Sequence, residues 1–133
     1  NVCHFKGFVK PAYPYMKQAD IFLNTSEAEG YPLVLCEALC LGLPIVATDI
    51  TGAHEILDGS RYGILVKETV EDIYEGLRRM IISKELRCDY SQKAIARSEM
   101  FSIEEIMKQI YNISCFQIIQ IDDLFPRTSH LAE

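Results

Sequence analysis

Nowhere in this 133-residue sequence do about eighteen apolar residues follow one another, so no segment is built to cross a bilayer as a helix. Basic charge is not in excess either: 13 Lys and Arg stand against 19 Asp and Glu, for a net charge of -6. The cations are also scattered, which argues against nucleic acid or an anionic membrane surface as the main partner. Zinc spacing is absent, because Cys3, Cys36, Cys40, Cys88 and Cys115 form no C-x-x-C pair. An odd cysteine count without a dense disulfide framework points to a reducing compartment, the cytoplasm. There is no internal repeat and no low-complexity stretch. Nor do an initiator Met or a targeting segment open the chain, which starts N-V-C-H-F-K-G as if already inside a strand. The expectation is a piece of a longer protein whose function is only partly present.

What the chain does have is apolar content, 49 % against 24 % charged, in a length that suits one domain. Val2 to Phe5 reads as a short strand closed by Gly7, and Pro11 and Pro14 confine any helix in Lys10 to Asp20 to its ends. Ile21–Asn24, Pro44–Thr48 and Ile64–Val66 are short apolar strands, and Ala53–Leu57 is a helical turn. Thr69 with Asp72 resembles a capping box, opening a helix with Val70, Ile73, Leu77, Met80 and Ile81 as its apolar stripe. A second helix is expected over Lys84 to Arg97, with Leu86, Tyr90 and Ala94 inward. Ser102 and Glu105 open a third, with Ile103, Ile106, Met107 and Ile110 inward. Strands alternating with helices, without clean period-2 polarity, predict an α/β fold: a Rossmann-like parallel sheet with helices on both faces. Residues 114–133 are apolar but aperiodic, and could be an edge strand, a crossover or disordered.

The chain is organised around Ser26 to Gly42, S-E-A-E-G-Y-P-L-V-L-C-E-A-L-C-L-G. The apolar run from Leu33 to Leu41, with Pro32 near its start and Gly42 just past its end, predicts a helix. Glu37 interrupts it, with Leu33, Val34, Cys40 and Leu41 three and four positions away. Glu37 is therefore expected to be buried, where an unpartnered charge is costly. Either a core Lys, Arg or backbone N–H satisfies it, or it is held to accept ligand hydroxyls.

In open parallel sheets ligands bind beyond the carboxyl ends of the strands. Three turns qualify: Gly7-Phe8-Val9, Ser26 to Tyr31, and Asp49 to Gly52. The second feeds a helix N-terminus suited to an anion, and Glu37 follows about five residues on, roughly 7 Å along the axis. Glu29 sits on the turn itself. Phosphates on the helix end, one polyol at Glu37 and another at Glu29 reproduce the layout of a nucleoside diphosphate sugar.

The runs E-A-E-G-Y-P-L-V-L-C-E-A, G-L-P-I-V-A-T-D, G-A-H-E-I-L and Y-G-I-L-V resemble the donor-binding half of the group 1 glycosyltransferases (glycosyltransferase family 4, GT-B fold). The likeness spans about Val2 to Ile113, so residues 1–113 would be the donor-binding domain. It implies that Glu29 contacts the transferred sugar and supports its departure. Ser26 and the backbone of Gly30, Tyr31, Pro32 and Leu33 would hold sugar hydroxyls and diphosphate, and Glu37 both ribose hydroxyls. Gly7, Phe8 and Val9 would line the base pocket, with Asp49, Gly52 and Glu55 behind the ligand. The implied reaction is retaining transfer of a hexose from a UDP-sugar or GDP-sugar to a glycan or lipid-linked acceptor, in surface polysaccharide biosynthesis. It needs no essential metal and no cofactor. The acceptor would bind a missing N-terminal domain, which could also bring the protein to a membrane periphery. This chain departs from the family at Thr51, where a paired glycine is frequent. The diphosphate-clamping cations also lie upstream in the family, so the fragment alone is expected to be inactive. A nucleotide-sugar epimerase and a non-catalytic binding module are the alternatives.

Other residues carry plainer expectations. His4 is read as a core histidine, Cys36 and Cys40 as core fillers, and Lys6, Lys10, Arg78, Arg79, Lys84 and Arg87 as solvated. Asp49 is a helix N-cap or a ligand group, and His54 and Glu55 cap a helix or touch the donor.

Overall fold

The computed structural model describes residues 3–102. They belong to the first of two units, Asn1–Ser102 and Ile103–Glu133, into which the chain divides. The helix expected after Ser102, the boundary at 113 and the 114–133 tail lie outside the described residues.

Three strands, β1 (Phe22–Asn24), β2 (Ile45–Thr48) and β3 (Ile64–Val66), form a parallel sheet in the order β1-β2-β3. Between and after them run helices α1 (Tyr13–Met16), α2 (Leu33–Cys40), α3 (Thr51–Leu57), α4 (Val70–Ile82) and α5 (Lys84–Glu99). All four residues of β2 are buried, as a central strand covered on both faces requires. Ile45 and Ala47 join one cluster with Leu35 and Leu39 of α2, Ile56 and Leu57 of α3 and Ala94 of α5. Val46 joins the other, with Ile64, Met80 of α4 and Tyr90. The alternation of β2 thus divides the core into two layers, and helices cover both, as expected. Each fully buried Leu or Ile contributes about 1.5–3 kcal/mol.

Caps set the helix ends. At the end of α2, Gly42 adopts φ +67°, a conformation an L side chain resists. Its amide donates to Leu39 O (2.9 Å) while that of Leu43 donates to Ala38 O (3.0 Å), so the last carbonyls are satisfied. The Thr69 cap is as expected, its hydroxyl oxygen accepting from Asp72 N at 3.2 Å. Ser83 caps α5 in the same way through Leu86 N, at 3.1 Å.

Several expectations are corrected. Cys3–Phe5 carry no strand and His4 is exposed rather than in a core. Phe5 is 98 % exposed, because among the described residues no neighbouring strand pairs with this segment and an extended segment without a partner gains no ladder. Cys36 is half-buried and packs against the core cluster as expected, but Cys40 is exposed and does not fill the core. On α4 the buried positions are Gly76 and Met80, which turns Val70 and Ile81 to the exposed rim. Helix α3 starts at Thr51, two residues earlier than expected, taking in Thr51 and Gly52. Arg87 is not merely solvated: Nη1 donates to Met80 O (2.7 Å) and Ile81 O (2.8 Å) near the end of α4.

Arg97 of α5 does the same for α3. Its Nε donates to Ile56 O (2.9 Å) and Nη2 to Glu55 O (3.0 Å), and the guanidinium lies 5.1 Å from the Tyr62 ring centroid. Arg97→Met is expected to lower stability by about 1–2 kcal/mol, the scale of charge-assisted hydrogen bonds. Urea unfolding checks this, and an unchanged midpoint would show that the cap is not worth its geometry.

Candidate functional site

The site is built where β1 and β2 end. Asn24 closes β1 with its side chain buried, and its Oδ1 accepts from Ser26 N at 2.8 Å. Thr48 closes β2, 1 % exposed, and its hydroxyl donates to the Ser26 carbonyl. Two strand ends thereby fix one residue of the following turn. Ser26 Oγ in turn donates to Glu29 Oε1 at 2.7 Å, so the Glu29 carboxylate keeps one oxygen engaged and one open. The sequence singled out Ser26 and Glu29 but not Asn24 or Thr48. Polar residues at the carboxyl ends of otherwise apolar strands were the available signal.

Glu29 and Gly30 line a cavity of 530 Å³ together with Glu27, Ala28, Asp49, Ile50, Thr51 and Glu68. Asp49, Ile50 and Thr51 also line a second cavity of 560 Å³ with His54 and Glu55. Asp49, Glu29, Gly30 and Glu55 are thus brought to one end of the sheet. Gly52 is buried there for a packing reason. A Cβ on it would lie 2.5 Å from Gly30 O and 2.6 Å from Pro32 Cδ, so α3 rests directly on the Gly30–Pro32 turn. Pro32 is itself buried and occupies the N-cap of α2 rather than its first turn, its carbonyl accepting from Leu35 N at 2.9 Å.

Glu37 is not where its neighbours in sequence predicted. It is exposed, on the side of α2 opposite Leu35, Ala38 and Leu39. Two residues at 100° each put Glu37 about 200° around the axis from Leu35. It shares that open face with Cys40 and with Leu33, which is 68 % exposed. The helix is apolar all round, yet only one face is packed, which leaves an apolar stripe with a single carboxylate at its centre. Tyr31 stands at the head of this helix, with Cys36 one turn and a half further along it. Partial burial pushes the Tyr31 phenol and the Cys36 thiol up from their ordinary values, which keeps both neutral near pH 7. A neutral thiol is a poor nucleophile.

Asp49 does not cap α3; the N-cap position is held by Ile50, and the Asp49 carboxylate instead meets His54 Nδ1 at 2.7 Å. Gly7, Phe8 and Val9 line neither cavity; Phe8 is 93 % exposed. Among the described residues no cluster of His, Cys, Asp and Glu is arranged to hold a metal ion, and no helix is long and apolar enough to cross a membrane.

A parallel sheet clad on both faces, with carboxylates gathered beyond the carboxyl ends of its strands, is a Rossmann-like arrangement, and that is the end of such sheets where ligands bind. Comparison with known proteins gives the family: the model described as glycosyl transferases group 1 matches residues 1–83, and the chain belongs to that family. It is 33 % identical over 97 residues to an uncharacterized glycosyltransferase of Haemophilus influenzae, covering 71 % of this chain and 28 % of that protein. An N-acetylgalactosamine-N,N'-diacetylbacillosaminyl-diphospho-undecaprenol 4-alpha-N-acetylgalactosaminyltransferase of Campylobacter jejuni is 33 % identical over 104 residues, 77 % of this chain and 28 % of that protein. The O-antigen biosynthesis glycosyltransferase WbnH of Escherichia coli is 34 % identical over 101 residues, 76 % of this chain and 28 % of that protein. The chain thus spans 28 % of the length of these relatives.

Among solved structures, WaaG, a glycosyltransferase involved in lipopolysaccharide biosynthesis, superposes with a TM-score of 0.60 at 26 % identity, over 74 % of this chain and 27 % of that one. TarM superposes with a TM-score of 0.65 at 23 % identity, over 80 % of this chain and 22 % of that one, a likeness of fold alone. The expected fold class, α/β and part of a GT-B architecture, agrees with both.

Proposed function

We propose that this chain is the donor-binding part of a retaining glycosyltransferase that moves a hexose from a UDP-sugar or GDP-sugar to a glycan or lipid-linked acceptor. The observation that carries the reading is the pair Glu29 and Glu37 on either side of the Gly30-Tyr31-Pro32 turn. One is held by Ser26 at the cavity mouth and the other lies open on α2. In this reading the transferred sugar sits against Glu29 and Gly30, and the diphosphate on the backbone amides that open α2. The ribose lies along the Leu33–Glu37 stripe, where its hydroxyls donate to Glu37 and its carbon face covers Leu33. Gly7–Val9 would complete the base pocket. Family membership supports this arrangement, and the names of the relatives support a role in surface polysaccharide synthesis; the cytoplasm is the compartment this reading takes, on the cysteine content of the sequence. The acceptor and the cations for the diphosphate would come from an N-terminal domain, which could also dock at a membrane. The chain by itself then binds donor without completing transfer, and the reaction calls for no metal or cofactor.

The exposure of Glu37 changes its energetics but not the test. An exposed carboxylate is not a liability to be relieved by ligand; it contributes only the hydrogen bonds it makes. Titrating UDP, GDP, ADP and UDP-sugars into the chain by calorimetry should give saturable binding by one nucleotide class. Glu37→Gln is expected to weaken it by about 1 kcal/mol, roughly fivefold. Equal affinity in wild type and Glu37→Gln would remove the ribose from Glu37.

A further inference from the structure

Helix α4 buries one side and leaves an apolar stripe beside it. Gly76 and Met80 face the core, while Val70, Tyr74 and Ile81 are between 58 % and 78 % exposed. At 100° per residue these three lie within about 40° of one another, and half-buried Leu77 sits next to them. The positions 70, 74, 77 and 81 alternate steps of four and three, the seam spacing of a helix that pairs with another helix. Two charges border the stripe on its solvent side. Glu71 and Arg78 are seven residues apart, so they occupy equivalent positions on one flank. Glu71 is exposed and has no ion-pair partner among the described residues. Arg78 reaches Glu75 only at 3.4 Å, with half of its side chain exposed.

These charges select both the partner and its direction. In a parallel pair of α4 helices, the Glu71 and Arg78 flank would meet the opposite flank, where Ile73 and Met80 carry no charge. In an antiparallel pair about a two-fold axis, like flanks meet. Glu71 then faces Arg78 of the second copy and Arg78 faces its Glu71, while Val70 lies against Ile81 and Tyr74 against Leu77. The stripe is thus complementary to itself in one orientation. We propose that α4 is a homodimerisation surface, on which a second copy of this chain docks antiparallel through Val70, Tyr74, Leu77 and Ile81. The inference is independent of the donor reading. Helix α4 has 13 residues and is roughly 20 Å long, so the contact is small. Small interfaces give weak, reversible association, here with a Kd of about 10–100 µM.

The test is sedimentation equilibrium of the whole chain from roughly 5 to 500 µM, a range that brackets the expected Kd. Wild type should show a mass that rises with concentration toward that of two chains. Tyr74→Glu sets a charge in the middle of the seam and is expected to weaken association at least tenfold. Glu71→Arg and Arg78→Glu each set like charges across the interface twice, and each is expected to weaken it about three- to tenfold. The double reversal restores opposite charges and should return the affinity to within about twofold of wild type. All three positions are exposed, so circular dichroism at low concentration should show the wild-type helix content, which separates lost association from lost fold. Monomer mass at every concentration overturns the proposal. So does a dimer that Tyr74→Glu leaves intact, since another surface would then hold it. Single reversals that change nothing, or that the double reversal does not rescue, overturn the antiparallel docking and the proposal with it.

Discussion

Met80→Ala is expected to lose about 3 kcal/mol of stability, the largest effect of any single change considered. Met80 is 0 % exposed and packs in the cluster with Val46, Ile64 and Tyr90, where α4 meets β2 and β3. Truncating a fully buried Met to Ala removes transfer free energy and leaves a cavity, together about 2–5 kcal/mol. The small sheet gives little room for collapse, because β2 is buried along its whole length. For a unit of this size, a loss of this order lowers the melting midpoint by roughly 12–20 °C. Met80 lies on the face of the sheet opposite α2 and α3, so nucleotide affinity of the molecules that remain folded should stay at the wild-type value. A calorimetric scan with a titration at low temperature separates the two. A midpoint within a few degrees of wild type would mean that the α4 face is too loosely packed for Met80 to matter.

Gly52→Ala comes next, at about 2 kcal/mol, and it differs in kind because it reaches the site. The new methyl would lie 2.5 Å from Gly30 O and 2.6 Å from Pro32 Cδ. Overpacking typically costs about 1–3 kcal/mol, and a collision with backbone belongs at the upper end because a carbonyl cannot rotate away. Ala in place of Gly within a helix returns up to about 1 kcal/mol, which leaves a net loss of about 2. Relief requires α3 to lift from the Gly30–Pro32 turn, so donor binding should weaken along with stability. Gly52→Ala that melted normally and bound nucleotide normally would show that the turn can move without consequence.

The α/β architecture, a sheet with helices on both faces, was legible because the strands carry it on their face. Ile45-Val46-Ala47-Thr48 is apolar at every position but the last, which only a strand covered on both sides allows. Thr69 and Asp72 announced their helix start, since a cap is a local interaction between near neighbours. What remained illegible depended on surroundings. Glu37 has apolar neighbours on every side of its helix, and that pattern is the same whether a face is packed or open; only the position of β2 and α5 decides it. Cys3–Phe5, the described part of the strand expected at Val2–Phe5, forms no strand for a related reason, because an apolar segment becomes a strand only beside another. In the site, Ser26, Glu29 and Gly30 were legible from their type and spacing in a strand–helix turn. The contacts that hold them were not: Thr48 donates to Ser26 across 22 residues of sequence. Nor does the spacing of Asp49 and His54, five apart, announce a pair.

The hydrogen bonds that Asn24 and Thr48 make to Ser26 have a bearing on how variants of this protein should be scored. They join β1, β2 and Glu29 into one mechanical linkage, so the relative position of two strands sets the position of a carboxylate at the cavity. Substitutions at Phe22 or Ala47, in the sheet and outside the cavity lining, would then surface in an activity screen as if they were site variants. A screen that reads activity alone would draw the site too large, and a parallel stability measurement is what restores its outline.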